Sequence, residues 1–264
     1  MKAARLAVVG ASGRMGRRVV ELAPEHGFLV VHALARGAIS TLLSAGAEPV
    51  DVVVDFSSPE ATGELARVAL ETRAALVSGT TGLGSAEESA LELASARAAV
   101  FWEPNMSLGV HVLADLVSRA ALQLGPDFDA EVSEVHHSAK VDAPSGTANR
   151  LLGALLEARG GQPATVVHGR KGRTGPRPCG EIAVHALRGG DVIGDHTVHF
   201  LGTGERLELT HRATNRDVFV HGALRAAAFV VGKPPGRYGM LDLVGRASFQ
   251  NEPASPIETP RGPT

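Results

Sequence analysis

The densest concentration of reactive side chains lies in one stretch, Glu134-Val-His-His-Ser-Ala-Lys-Val-Asp-Ala-Pro-Ser-Gly-Thr-Ala148. A histidine titrates near neutral pH and can give up a proton, and a lysine three residues beyond His137 can hold an anion or act as an acid itself. His136 and Lys140 are therefore candidate proton donors, with His137 and Lys140 as candidate anion ligands. Adjacent residues of an extended chain point to opposite faces, so His136 and His137 do not suit a shared metal ion. A surface or core role for such a His-His pair stays open at this point. Lysine is scarce: Lys2, Lys140, Lys171 and Lys233 are the four among 26 basic residues. In a chain that otherwise uses arginine, a lysine amid this cluster suggests a need for a compact, titratable ammonium. Downstream, Pro144, Ser145, Gly146 and Thr147 read as a helix start with Ser145 as N-cap. Its free amides and positive dipole end would receive a carboxylate or phosphate.

A second constellation sits near the N-terminus. Gly10, Gly13 and Gly16 follow an apolar strand and open a helix, in a Gly-x-x-Gly-x-x-Gly spacing looser than the strict dinucleotide fingerprint. Glycine lets the backbone turn tightly, approach a pyrophosphate and present amides at the helix end. Gly10, Ala11, Ser12, Gly13, Arg14 and Met15 are thus the candidate phosphate cradle, with Arg14 adding charge. About twenty residues on, an NAD site offers an acid to the ribose 2′-hydroxyl, whereas an arginine suits a 2′-phosphate. Here the chain reads Ala33-Leu34-Ala35-Arg36, without an acid, so NADPH is expected to be preferred over NADH, with Arg36 as its ligand. Two further turns follow strands, where open α/β sheets bind ligands: Ser78-Gly79-Thr80-Thr81-Gly82 and Glu103-Pro104-Asn105-Met106-Ser107. Their small and hydroxyl residues suit a nicotinamide ribose or carboxamide, or serve plain turn chemistry.

The elements that must position these residues follow from periodicity. Leu6 to Val9, Leu29 to Ala33, Val52 to Val54, Ala75 to Val77 and Ala98 to Phe101 read as buried strands. Between them, Met15 to Leu22, Pro59 to Leu70 and Ser85 to Ala96 carry apolar residues at helical spacing. The alternation predicts a doubly wound parallel sheet. The connection from Gly37 to Pro49 leaves room for only a brief crossover helix, or none. From Leu108 the pattern changes to helices over Val110 to Ala121 and Thr147 to Ala158. Strands are expected at Ala130 to Val135, Thr165 to His168, Glu181 to Ala186, His196 to Phe200 and Arg206 to His211. These imply a largely separate second sheet, before a last helix over Val218 to Val231. The proline-punctuated tail, 251–264, is expected to be disordered. The Gly-, Pro- and Arg-rich loop from Gly160 to Gly180 reads as a lid or a mobile hairpin.

Composition narrows the function classes. A balance of 26 basic against 28 acidic residues gives a net charge of −2, with no polycationic field for nucleic acid or an anionic membrane. No apolar run reaches the roughly 18 residues of a membrane span, and nothing reads as a signal peptide. The single cysteine, Cys179, excludes an internal disulfide, and no Cys/His cluster has zinc spacing, so no metal is expected and the cytoplasm is the natural compartment.

Together these stretches resemble the dihydrodipicolinate reductase family of the diaminopimelate and lysine pathway, over nearly the whole chain to about residue 245. The resemblance rests on Gly-Ala-Ser-Gly-Arg-Met-Gly (10–16), Asp-Phe-Ser-Ser-Pro-Glu (55–60), Ser-Gly-Thr-Thr-Gly (78–82), Glu-Pro-Asn-Met-Ser-Leu-Gly-Val (103–110) and above all 136–148. Segments 190–198 and 204–213 fit the same pattern. The resemblance implies a homotetramer with an N-terminal Rossmann-like dinucleotide-binding domain for NAD(P)H, 1–107 with 217–250, and an α+β, mixed-sheet domain for substrate and subunit contacts, 108–216. It implies hydride transfer to a ring double bond of a cyclic dicarboxylate. His136 takes the general-acid position and Lys140 the adjacent proton-donor position. His137, Lys140, Ser145, Gly146 and Thr147 fall on the substrate site, and Arg216 would orient the acidic histidine. Gly79, Thr80, Thr81, Glu103, Pro104, Asn105 and Met106 line the cofactor side. The chain departs from the family pattern at Ala35, where an acid can stand, at the short 37–49 connection, and at Ser58, where an arginine is often found. Two other readings remain: a different dinucleotide-dependent dehydrogenase of aspartate-family metabolism, and a non-catalytic NAD(P)H sensor. An acylating semialdehyde dehydrogenase needs a nucleophilic cysteine, and Cys179 lies in a loop without a signature around it.

Overall fold

The computed structural model describes residues 3–160 and 165–245. In chain order the first half runs β1 (Ala4–Val9), α1 (Arg14–Leu22), β2 (Phe28–Leu34), β3 (Val52–Asp55), α2 (Thr62–Thr72), β4 (Ala75–Ser78), α3 (Ser85–Ser95) and β5 (Ala99–Trp102). The second continues with α4 (Leu108–Leu124), β6 (Asp129–His136), α5 (Gly146–Ala158), β7 (Val166–Val167), β8 (Ile182–Arg188), β9 (Gly194–Leu201) and β10 (Arg206–Ala213). Then come α6 (Asp217–Val230), β11 (Gly236–Tyr238) and α7 (Met240–Val244).

The first sheet is parallel throughout, in the order β11-β5-β4-β3-β1-β2. Strands whose both faces are covered read as unbroken apolar runs, and here the two faces separate by residue parity. Leu6, Val8, Val52, Val54, Val77 and Phe101 pack with Val19 of α1 and Val220, Leu224 and Val230 of α6. Ala7, Val9, Val53, Leu76 and Val100 pack with Leu65 and Val68 of α2 and Leu91 and Ala94 of α3. The doubly wound Rossmann-like sheet expected from periodicity is thus present. The connection after β2 holds a 3-10 segment, Arg36–Leu43, whose Ile39 and Leu42 complete the second face.

The second sheet is mixed, in the order β10-β9-β6-β8-β7, with β6 parallel to β8 and antiparallel to β9. Alternation along β6 puts Ala130 and Val132 against α4 and α5, where Val117, Leu151, Leu155 and Phe200 close a third core. The opposite face is polar: His185 Nε2 donates to Glu131 Oε2 at 2.7 Å, Ser133 Oγ meets His199 Nε2 at 3.0 Å, and Thr197 meets Thr210 at 3.0 Å. The described part of the 160–180 loop is tied down on that side, since Arg170 donates to Glu131 at 2.6 Å and Arg177 pairs with Asp129. The strand expected from Thr165 to His168 shrinks to Val166–Val167, because only those two residues pair with Ile182 and Ala183. Periodicity missed β11 and α7, each too short to show a pattern. The tail at 251–264 lies outside the described residues.

Candidate active site

The turns that close the first sheet's strands gather along one edge, the carboxyl ends, where open α/β sheets bind ligands. After β1 the chain turns at Gly10, whose φ of 82° is left-handed and whose added Cβ would stand 2.5 Å from Phe56 O. A Cβ on Gly16 would meet Gly10 O at 2.2 Å, so the helix can start against the turn only with glycine at both places. Gly13 caps α1 without a side-chain hydrogen bond, and no acid stands in the helix's first turn. Amides there are free for an anion, and Ala11, Ser12, Arg14 and Met15 surround them. After β3, the buried Asp55 organises the neighbouring turns: it accepts from Ser57 N at 2.9 Å, Ser78 Oγ at 2.8 Å and Thr80 Oγ1 at 2.7 Å. Thr80 thereby spends its hydroxyl internally. Gly79 lies against the Phe56 ring, and Met106 packs inside the first core. Arg36 opens the 3-10 segment after β2; its side chain is outside the description.

Facing that edge is a cavity of about 590 Å³ lined by Thr81, Pro104, Asn105, His136, Lys140, Asp142, Ser145, Gly146, Thr147 and Arg150. It joins the stretch around His136 and Lys140 with the turns after β4 and β5; none of Gly10 to Met15 lines it. His136 ends β6, and alternation along that strand puts Glu134 on the same face; His136 Nδ1 donates to Glu134 Oε2. Glu134 is fully buried and also receives Arg188 Nη1 and Nη2, each at 2.9 Å, and Ser145 N at 3.1 Å. Burial pushes this carboxyl up, but the hydrogen bonds from Arg188 and His136 outweigh it and hold it below the usual range. Burial, with the charges of Lys140 and Arg188, lowers His136 despite the bond to Glu134.

Ser145 caps α5 by accepting from Ala148 N at 3.1 Å, leaving the amides of Gly146 and Thr147 facing the cavity's side of the helix. The Ser145 hydroxyl and His196 Nε2 also share a hydrogen bond at 3.2 Å. The other ring nitrogen of His196, Nδ1, is buried and has no partner among the described residues. Burial, then the neighbouring His136 at 5.0 Å between ring centroids, pushes His196 down to about 4; Glu134 opposes this, and His211 and Lys140 add to it. Between pH 6.5 and about 4 the unfolded chain takes up a proton that the folded one refuses. Stability present above pH 6.5 is therefore lost as pH falls towards 4, by about 3 kcal/mol in all. Urea unfolding of the wild type and His196→Asn across that range should give a shallower pH slope in the variant; equal slopes would discard the assignment.

Lys140 donates to both Asp142 oxygens, at 2.7 and 2.9 Å, and this bond holds Asp142 below the usual carboxylate range. His137 does not line the cavity; its carbonyl accepts from Lys140 N at 3.1 Å. Arg216, at the N-cap of α6, lines a separate cavity of about 510 Å³ with Arg14, Met15 and Arg18. Sequence reasoning did not single out Glu134, Arg188, His196, Asp55 or Asp142. Glu134 had a signal, two residues before His136 in a strand; Arg188 had none, since only the β6–β8 register sets it opposite His136. Among the described residues no group of three or more His, Cys, Asp or Glu is placed to hold a metal, and no helix is long and apolar enough to cross a membrane.

The chain matches known proteins along both halves. The family description "Dihydrodipicolinate reductase, N-terminus" matches residues 4–106, and "Dihydrodipicolinate reductase, C-terminus" matches 109–244. The chain is 44% identical to a 4-hydroxy-tetrahydrodipicolinate reductase of Anaeromyxobacter sp. (strain Fw109-5), over 91% of this chain and 97% of that protein. It is likewise 44% identical to one from Myxococcus xanthus (strain DK1622), with the same coverage. A solved dipicolinate-bound dihydrodipicolinate reductase from Paenisporosarcina sp. TG-14 has the same fold, with a TM-score of 0.67, 23% identity, and coverage of 92% of this chain and 99% of that one. In sequence across both halves and in fold, the chain belongs to the dihydrodipicolinate reductase family.

Proposed function

We propose that this protein reduces 4-hydroxy-tetrahydrodipicolinate to tetrahydrodipicolinate with NAD(P)H, in lysine and diaminopimelate biosynthesis. The observation that carries the reading is the single cavity that holds His136 on Glu134, Lys140, and the amide end of α5 opposite the turns after β4 and β5. The glycine turn after β1 fits the cofactor pyrophosphate: its Cβ-free backbone and the uncapped first turn of α1 leave amides free, and Arg14 adds charge. The nicotinamide supplies a hydride when bound.

The rest is work for the chain's own side chains. Gly146 and Thr147 amides, with Lys140, take the substrate carboxylates, and Lys140 exchanges Asp142 for substrate as it does so. A dianion brought beside His136 favours the imidazolium, reversing the effect of burial. Loss of the 4-hydroxyl as water leaves the conjugated ring double bond; as that bond takes up the hydride, the charged imidazolium hands its proton to the neighbouring carbon that gains negative character. Glu134, fixed by Arg188, holds the ring so that Nε2 is the donating edge. Arg216, with Arg14, faces the cavity at the phosphate turn. The unit carrying 108–216 supplies the substrate and assembly surfaces, and 1–107 with 217–250 the cofactor. The polar outer face of the second sheet is the surface on which four copies assemble, in the cytoplasm.

Absorbance at the reduced-nicotinamide band tests the reading, with the fresh condensation product of pyruvate and aspartate semialdehyde as substrate. Oxidation is expected with both cofactors, with the higher kcat/KM for NADPH. Arg36→Ala should cost about tenfold with NADPH, one charged hydrogen bond's worth, and little with NADH. Tight nucleotide binding without oxidation would return the chain to the sensing reading, and a strong NADH preference would refute the Arg36 assignment.

A further inference from the structure

Glu103, His111 and Arg150 meet where the two sheets join, and the reaction above uses none of their side chains. Glu103 follows β5, His111 lies in the first turn of α4, and Arg150 lies one turn into α5. Arg150 Nη1 donates to Glu103 Oε2 at 3.2 Å, and its Nη2 donates to His111 Nδ1 at 2.8 Å. His111 Nε2 donates in turn to Asn105 O at 2.9 Å, which fixes the neutral tautomer. The other Glu103 oxygen accepts from Met240 N at 3.2 Å, bringing in the start of α7. Asn105 closes the circuit, its Nδ2 donating to Thr147 Oγ1 at 2.9 Å.

Thr147 and Arg150 are three residues apart and so share one face of α5. One short turn of the first sheet thereby grips that face at two points. The Glu103 side chain is 13% exposed and that of His111 0%, so the contacts are shielded from water at that end, while Arg150 itself is 33% exposed. Such shielded charged pairs tolerate little misalignment. The gripped turn of the helix is the one that carries the free amides of Gly146 and Thr147.

We propose that Arg150 is a positioning residue: bonded to Glu103 and His111, it locks the first turn of α5 onto the turn after β5 and so sets where the bound dicarboxylate lies relative to the cofactor edge. The proposal rests on the reading of α5 as the carboxylate site. Arg150 borders the same cavity, so direct contact between Arg150 and the ligand is the rival account. In the described arrangement the guanidinium nitrogens Nη1 and Nη2 are turned to Glu103 and His111 rather than held free for a ligand.

A double-mutant cycle of Glu103→Gln and Arg150→Met separates the two. Binding of pyridine-2,6-dicarboxylate to the NADPH-loaded protein is measured by calorimetry, beside kcat and both KM values. Each single variant should weaken dicarboxylate binding about tenfold, and the double variant should be no worse than either, the non-additivity of partners in one network. In Arg150→Met the dicarboxylate KM should rise while NADPH affinity stays within about twofold, a split that general destabilisation would not give. Arg150→Lys should recover part of the loss, since an ammonium can meet Glu103 but cannot span Glu103 and His111 in a fixed fork. If Arg150→Met weakens binding and Glu103→Gln does not, Arg150 touches the ligand and the proposal falls. It falls equally if NADPH and dicarboxylate affinities drop together. Wild-type protein that binds the dicarboxylate without oxidising NADPH would overturn the proposed reaction while the cycle still decides the role of Arg150, and wild-type protein that fails to bind it would overturn both.

Discussion

His136→Gln is expected to lower kcat by about 10²- to 10⁴-fold, the usual contribution of a positioned general acid, with cofactor affinity unchanged. Glutamine can still reach Glu134, so the loss reads the proton rather than the packing. Lys140→Ala should add a rise in the dicarboxylate KM, because it removes a cation that lines the cavity. The pH profile gives the sign. Burial, then Lys140 and Arg188, hold His136 below its ordinary value, and Glu134 pulls it back up. A donor must be protonated, so kcat/KM of the free enzyme should fall as pH rises through that lowered value. Bound dianion raises the histidine, so the descending limb of kcat should lie at higher pH than that of kcat/KM. Glu134→Gln removes the group that raises His136 and should move the kcat/KM limb to lower pH. A kcat/KM that climbs with pH across neutrality, or a His136→Gln variant with more than about a tenth of the wild-type kcat, would remove His136 from the acid role.

Glu134→Ala should cost about 3–5 kcal/mol of folding stability, the range for breaking a buried ion pair by removing one partner. Glu134 is fully buried and accepts hydrogen bonds from His136, both Arg188 terminal nitrogens and the Ser145 amide. Alanine would leave the Arg188 side chain, 20% exposed, without its anion, and the start of α5 without its anchor. Adding Arg188→Met to Glu134→Ala should restore part of the loss, since it removes the stranded cation. Its own acid dependence follows from the lowered carboxyl: the contribution is present above the ordinary carboxylate value and is lost as pH falls through the folded-state value. Urea unfolding of the single and double variants measures both effects. A cost below about 1 kcal/mol, typical of an exposed pair, would mean that the network does not hold the site.

What could be read from the sequence followed from how locally each feature is encoded. β1, β3, β4 and β5 are short apolar runs between turn residues, and the parity that divides Leu6 and Val8 from Ala7 and Val9 is carried within each strand. The reactive cluster was legible because strand, turn and helix cap fall between residues 134 and 148. Its supports were not. Arg188 reaches Glu134 from another strand, and Arg150 reaches Glu103 from 47 residues away, so neither pairing has a local signature. Met106 and Thr80, expected beside a cofactor, turn their side chains to the first core and to Asp55. Sequence can place such residues on the right turn, but only packing decides which way a side chain faces.

β11 pairs with β5 across the whole of the second sheet's sequence, and α6 closes the face on which Val54, Val77 and Phe101 lie. A ribosome that has released only the first hundred residues has therefore produced strands without their cover. Until α6 emerges, that apolar face has no cover from its own sheet's later elements, and its edge at β5 has no neighbour. The long excursion through the second sheet must be made, and largely folded, before the first can be completed, since closing so large a loop on an unstructured chain is entropically the worse route. Completion of the first sheet thus waits until α6 and β11 have been made, and a chain that stops before them cannot reach it alone.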